Sequence, residues 1–378
     1  MSNAVELIPV TLLTGFLGSG KTTVLNHLVR QPELADALVI INEFGEMALD
    51  HMLVAYSTEN LIMEMSNGCL CCTIRGDLVK TLREITWRFS RNGQRQFRRV
   101  VIETTGLADP APIIHTLMTQ PQIATRYRLD GVIATVDAAT GMVTMDHHRE
   151  AIKQTAIADV LLLTKSDLAS NQSSNELLNR LKSINRTATI WSAKNGVIEP
   201  QKILHLGLFN KDTKAPDVAR WLKEEAFVEN ASHKHSHESH GISHSHKHEH
   251  EHEHEHEHHD VNRHDDHIRA FCYRINDPIS EELLQEWLDL LMYFLGSNIL
   301  RIKGILNVEG NPFPLVVHGV QHIFHPPISL PAWPSEDRRS RMVFITQDVG
   351  KEMIEKTFKA LRRGEEVQRT AQGEERKS

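Results

Sequence analysis

Short apolar runs alternate with longer stretches of helical spacing over the first half of the chain. The runs at 8–13, 38–42, 61–65, 99–103, 131–137, 160–164 and 188–192 are brief and mostly rich in Val, Ile and Leu, so each predicts a buried strand. Between them, apolar positions recur every three or four residues, as at 22–30, 77–90 and 175–184, which predicts amphipathic helices. This alternation predicts an α/β fold, a doubly wound domain with a mainly parallel sheet. In such sheets ligands gather at the carboxyl ends of the strands.

The pattern then breaks. From residue 233 to 267 the chain is dominated by His, Glu, Ser and Lys, with alternating Glu-His at its centre. Such a tract has no apolar area to bury, so a disordered linker is expected over 229–267. Order is predicted to return at 268–275, a strand, followed by a helix at 280–295 with Ser280 as N-cap. Strands at 299–308, 315–324 and 342–346 and a helix at 349–361 complete a smaller α+β domain over 268–363. A charged tail, 364–378, is expected to fray. The first domain is placed at 1–228.

Composition narrows the function classes. The chain of 378 residues carries a net charge of −7, which argues against a nucleic-acid-binding surface. No apolar run approaches the roughly 18 residues of a membrane span, and the start lacks the basic region of a signal peptide. Three of the four cysteines fall within four residues. That spacing suits metal or redox chemistry in a reducing cytoplasm rather than a disulfide framework.

The first strand leads into Gly15-Phe16-Leu17-Gly18-Ser19-Gly20-Lys21-Thr22, a G-x-x-x-x-G-K-[ST] phosphate loop flanked by strand and helix. Backbone N–H groups of Gly15, Gly18, Ser19 and Gly20 can cradle phosphate oxygens, with Thr22 and Thr23 opening the helix behind them. Lys21 would reach the β/γ-phosphates, and the Thr22 hydroxyl would ligate Mg²⁺. Glu103, ending an apolar strand, can hold Mg²⁺ through water, and the Gly106 N–H can sense a γ-phosphate. The segment Thr164-Lys165-Ser166-Asp167 resembles a guanine-reading motif. The Asp167 carboxylate can accept both guanine N–H groups, and the Lys165 stem can cover the base. Thr164 stands where that motif usually has Asn, which leaves the loop-bracing bonds of the Asn unaccounted for. Ser192-Ala193-Lys194 supplies a second loop whose backbone N–H meets the guanine O6. Together these favour GTP over ATP.

Cys69, Cys71 and Cys72 follow the third strand. Residues i and i+2 of an extended segment share a face, so thiolates there can converge on one soft ion such as Zn²⁺ or Co²⁺. Three sulfurs leave a tetrahedral site open; buried apolar cysteines or a redox pair are the other readings. Glu43 is a candidate to complete the metal shell, or a solvated acidic residue. In the tract, His233, His235, His237, His244, His246, His248, His250, His252, His254, His256 and His258 can bind Zn²⁺, Ni²⁺ or Co²⁺ reversibly, more weakly than a preformed thiolate site.

Taken in order, GFLGSGKTT, INEFGE, GCLCC, VIETTGLADP, TKSD and SAK resemble the CobW-like branch of P-loop GTPases. The segments Leu300–Leu306 and His318-Gly319-Val320 resemble that family's C-terminal domain. The resemblance implies a GTPase metallochaperone in which GTP·Mg²⁺ orders the loops that hold a metal at Cys69, Cys71 and Cys72, and hydrolysis releases it to a client protein. Histidine-rich insertions in the family are linked to zinc homeostasis, which favours zinc. Cobalt for cobalamin synthesis or nitrile hydratase activation is the alternative cargo. Hydrolysis is expected to be slow, because no clear water-positioning glutamine or arginine finger is present. A metal buffer acting through the histidine tract and a P-loop kinase are the competing function classes. The oligomeric state is left open, a homodimer included.

Overall fold

The computed structural model describes residues 7–42, 61–64, 73–92, 94–206, 267–324 and 327–375. In the N-terminal domain the strands are β1 (Ile8–Gly15), β2 (Ala37–Asn42), β3 (Leu61–Glu64), the short hairpin β4 (Ser90–Arg91) and β5 (Gln94–Arg95), β6 (Arg99–Thr104), β7 (Tyr127–Asp137), β8 (Val160–Thr164) and β9 (Thr189–Ala193). The helices are α1 (Lys21–Leu28), α2 (Thr73–Arg88), α3 (Ala111–Thr119), α4 (Pro121–Ala124), α5 (Gly141–His147), α6 (Arg149–Ile157) and α7 (Asn171–Ile184). Seven strands form one parallel sheet in the order β3-β2-β6-β1-β7-β8-β9.

Side-chain alternation along β1 shows why helices cover both faces. Ile8, Val10 and Leu12 pack with Leu78 and Leu82 of α2 and Ile114 of α3, whereas Leu13 packs on the other side with Val24 and Leu25 of α1. Successive strand residues point to opposite faces. A strand apolar at nearly every position is therefore buried twice, as the sequence pattern predicts.

The C-terminal domain contains β10 (Ile268–Ile275), α8 (Glu281–Leu295), β11 (Ile299–Leu306), β12 (Leu315–Val320), β13 (Ile323–Phe324), β14 (Ile328–Ser329), β15 (Ser340–Gln347) and α9 (Lys351–Glu375). Its sheet is antiparallel, ordered β10-β15-β11-β12-β13 with β14 also pairing β12. Ser280 caps α8 as expected, accepting the Leu283 N–H at 3.1 Å. Trp287 is fully buried against Tyr273, Phe344 and Phe358, and its indole N–H donates to Thr357 Oγ1 at 3.0 Å.

Two expectations need correction. The single strand expected over 315–324 turns back on itself: Gln321 takes a left-handed φ of 52°, and Val320 pairs with Ile323. The tail expected to fray from residue 364 instead continues α9 to Glu375. Charge pairs one turn apart, Lys359–Glu355 at 3.3 Å and Arg362–Glu366 at 3.7 Å, suit a solvated helix.

The domains meet through a buried charge cluster. Asp159, just before β8, accepts the Val132 N–H at 3.0 Å and pairs with Lys303 of β11 at 3.2 Å. Arg301 of β11 donates to the same carboxylate and to Ile157 O. Leu300 and Ile345 pack around it against Ala156, Ala158 and Leu181. Burial pushes the Asp159 carboxyl upward, but the Arg301 and Lys303 charges and the Val132 N–H outweigh it and hold the group below the usual carboxylate range.

A carboxyl whose folded-state pKa is depressed stabilises the fold fully above its unfolded pKa of about 4, and the contribution is lost as pH falls through the folded value. Asp159→Ala removes the carboxylate that faces two buried cations and should cost about 3 kcal/mol at neutral pH. Thermal melts of both proteins should show the gap narrowing as pH drops below about 4; a gap constant with pH would contradict the assignment.

Candidate functional site

The phosphate loop lies between β1 and α1, at the carboxyl edge of the sheet. Gly15 has φ 139°, and a Cβ there would sit 2.2 Å from Thr135 Oγ1 and 2.6 Å from Thr135 O, so only glycine fits. The loop is fastened to its neighbours: Ser19 Oγ and Thr135 Oγ1 are 2.6 Å apart. Lys21 is buried and donates to the Gly15 and Phe16 carbonyls at 3.0 and 3.2 Å, which folds its ammonium back over the loop. Thr23 is exposed one residue past Thr22 in α1.

Glu103 is 1% exposed at the end of β6. Its register partners are Leu13 of β1 and Ile41 of β2, so it stands between the phosphate-loop strand and the strand that leads toward Glu43. The Thr22 hydroxyl donates to Glu103 Oε1 at 3.1 Å. A hydroxyl and a carboxylate facing each other beside a phosphate loop are the oxygen donors that suit a hard, partly hydrated cation. Gly106 follows two residues after β6.

The two guanine-type loops are adjacent. Thr164 pairs with Ala193 across β8 and β9, and Ser166 Oγ lies 3.3 Å from Ser192 Oγ. Asp167 and Lys194 are exposed at this edge, where their polar groups can meet a planar base. His27 of α1 contacts Ile198 O at 3.1 Å, which ties the turn after Lys194 to the phosphate-loop helix. Thr164 supplies bracing of its own in place of the usual Asn. Its hydroxyl donates to Ser19 O at 2.7 Å and has a second contact at Val136 O, 3.2 Å away.

The sequence reading missed Asp137. It ends β7 in register with Thr164, and its carboxylate accepts from Lys165 Nζ at 2.7 Å and from the Ala139 N–H at 2.8 Å. Burial raises the Asp137 carboxyl, yet the Lys165 bond and charge with the Ala139 N–H prevail and hold it below the usual range. Lys165 itself has a left-handed φ of 51°, a conformation that a non-glycine residue keeps only when its surroundings hold it. A carboxylate closing an apolar strand next to the Thr164-Lys165 strand was the available signal. Thr135, which fastens the loop from β7, gave no signal at all, because a threonine inside a strand is ordinary.

Glu43, Cys69, Cys71, Cys72 and the histidines of the 233–259 tract lie outside the described residues. The described strands that precede the first two segments end side by side, with Ile41 opposite Glu64. Among the described residues, no three His, Cys, Asp or Glu side chains gather as a metal-binding group.

Residues 9–192 match the family model described as CobW/HypB/UreG, nucleotide-binding domain, and residues 268–362 match the cobalamin synthesis protein cobW C-terminal domain. The chain is 32% identical to the zinc chaperone YjiA of Escherichia coli, over 94% of this chain and 99% of that relative. It is 27% identical to zinc-regulated GTPase metalloprotein activator 1 of Schizosaccharomyces pombe, over 85% of this chain and 77% of the relative. The crystal structure of Zn(II)-bound YjiA GTPase from E. coli superposes with a TM-score of 0.62 at 28% identity, covering 94% of this chain and 99% of that one. With the phosphate loop, both guanine-type loops and the appended antiparallel domain all in place, the chain belongs to the CobW family of P-loop GTPases.

Proposed function

We propose that this protein is a zinc chaperone that binds and slowly hydrolyses GTP and hands its cargo to a metal-requiring client. The observation that carries the nucleotide half is the Thr22–Glu103 contact at 3.1 Å beside a buried Lys21. These two side chains would hold Mg²⁺, which supplies charge neutralisation at the β- and γ-phosphates. Lys21 swings from its loop carbonyls to the phosphate oxygens. The Gly15, Gly18, Ser19 and Gly20 backbone cradles the phosphates, and Gly106 contacts the γ-phosphate. Lys165, positioned by Asp137, lies along the guanine, Asp167 accepts its N–H groups, and the Ser192-Ala193-Lys194 backbone meets O6.

Zinc is favoured over cobalt or nickel because the relatives above carry zinc in their names, and thiolates at Cys69, Cys71 and Cys72 are compatible with it. The strand leading to Glu43 abuts β6, which bears Glu103, and the strand leading to the cysteines is the next one out. Metal and magnesium can then respond to one nucleotide, and the coupling has to be mutual. The histidine tract serves as a weaker reservoir feeding this site. Among the described residues no helix is long and apolar enough to cross a membrane; clustered thiolates fit the cytoplasm.

Three outcomes test the proposal. Competition titrations with Zn²⁺ should give a tighter site when GTP·Mg²⁺ is present, and Cys71→Ala should abolish that gain. Affinity indifferent to nucleotide would remove the switch and favour a buffer acting through the histidine tract. Lys21→Ala should lower GTP turnover on the order of a hundredfold or more while metal uptake by residues 233–259 persists; normal turnover would mean the loop is misassigned. Asp137→Asn removes the charged partner of the part-exposed Lys165. It should weaken GTP and GDP alike by roughly fivefold, about 1 kcal/mol, measured by calorimetry.

A further inference from the structure

The segment after β6 is held from its buried side by one carboxamide. Gln154 of α6 is 1% exposed, and its Nε2 donates to Gly106 O at 3.1 Å and Ala108 O at 3.0 Å. Its Oε1 has no hydrogen-bond partner among the described residues. That side chain lines a cavity of about 20 Å³ shared with Phe16, Leu17 and Thr155, no larger than a water site. Burying a carboxamide costs free energy unless it is hydrogen-bonded, so its use here lies in the two bonds it gives.

Those bonds fix a short stretch of backbone against the phosphate loop. A Cβ on Gly106 would lie 2.5 Å from Leu17 N and 2.7 Å from Leu17 Cα, so the two main chains touch. With the Gly106 and Ala108 carbonyls pinned, the planar peptides that follow them cannot turn independently of α6. About one turn beyond Gln154, the C-terminal end of α6 is tied to the second domain, because Ile157 O and Asp159 both accept from Arg301 and Asp159 also pairs with Lys303. Asp109, in the same segment, accepts from Gln321 of the second domain at 3.4 Å.

We propose that Gln154 is a positioning residue for GTP: it sets the segment that meets the γ-phosphate and makes that setting depend on how the C-terminal domain is seated. This rests on the reading of Gly106 as the γ-phosphate contact. A ligand ending at the β-phosphate does not reach the segment, so the residue acts on discrimination between GTP and GDP rather than on nucleotide binding as a whole.

The test uses the full chain with Mg²⁺ and measures affinity for GDP and for a non-hydrolysable GTP analogue. Gln154→Leu, nearly isosteric, should weaken the analogue on the order of tenfold and GDP by less than about twofold. Equal weakening of both, or of neither, overturns the proposal. In Gln154→Glu a carboxylate cannot donate to the two carbonyls, whereas a protonated carboxyl can serve one. Its preference for the analogue should therefore rise as pH falls; a profile parallel to wild type would overturn the donor role. Lys303→Met should reduce the same preference, non-additively with Gln154→Leu, and strict additivity would sever the link to the C-terminal domain. The Gly106 amide resonance in the ¹⁵N-labelled wild-type chain separates the two readings. If it is the same with GDP and with the analogue, the γ-phosphate assignment fails. If it shifts with the analogue while Gln154→Leu retains full preference, the role of Gln154 alone falls.

Discussion

The bond from the Thr164 hydroxyl to Ser19 O joins the two halves of the proposed nucleotide site. On one side is the phosphate loop, on the other the pair of loops proposed to read the base. Neither is informative without the other, since phosphate is common to every nucleotide and a Lys-x-Asp turn is common on surfaces. The bond is short, buried and made by a threonine where the general guanine-reading motif has an amide. A hydroxyl on a β-branched, conformationally stiff side chain can brace the loop as an amide does, provided the strand end comes close enough. The parallel register, with Asp137 beside Thr164 and Gly15 beside Thr135, brings it close enough.

Parallel pairing also explains why so many candidate site residues share one edge. Each strand of the sheet runs the same way, so every strand-to-helix turn opens on the same side. Glu103, Asp137, Thr164 and Ala193 are all last or next-to-last residues of their strands. An ammonium and two backbone N–H groups face the buried Asp137 carboxylate and hold its carboxyl below the usual range, and the Thr22 hydroxyl donates to Glu103.

Most of the sheet was readable in the sequence, because strands buried on both faces are continuous apolar runs and their edges are marked by polar turns. The run at 160–164 is reproduced residue for residue, and the others differ by a few residues at their ends. What stayed hidden has common causes. The turn at Gln321 uses a residue with no turn preference, so periodicity alone read two strands as one. Asp137 and Gln154 matter through partners that chain folding supplies, 28 and 48 residues away. The phosphate loop was legible because a local motif carries its own geometry, while its fastening to Thr135, 116 residues from Ser19, did not. The segments proposed to bind metal were legible as chemistry and lie outside the described residues.

The Asp159–Arg301–Lys303 cluster has a consequence for inheritance. An acid from one half and two bases from the other are buried together, where a mismatch is costly. A recombinant that joined this nucleotide-binding half to a cousin's second half would bury a lone carboxylate unless the incoming strand brought its own cations at the same two places. The halves are thus constrained to drift as a matched pair, whatever freedom the histidine-rich stretch between them enjoys.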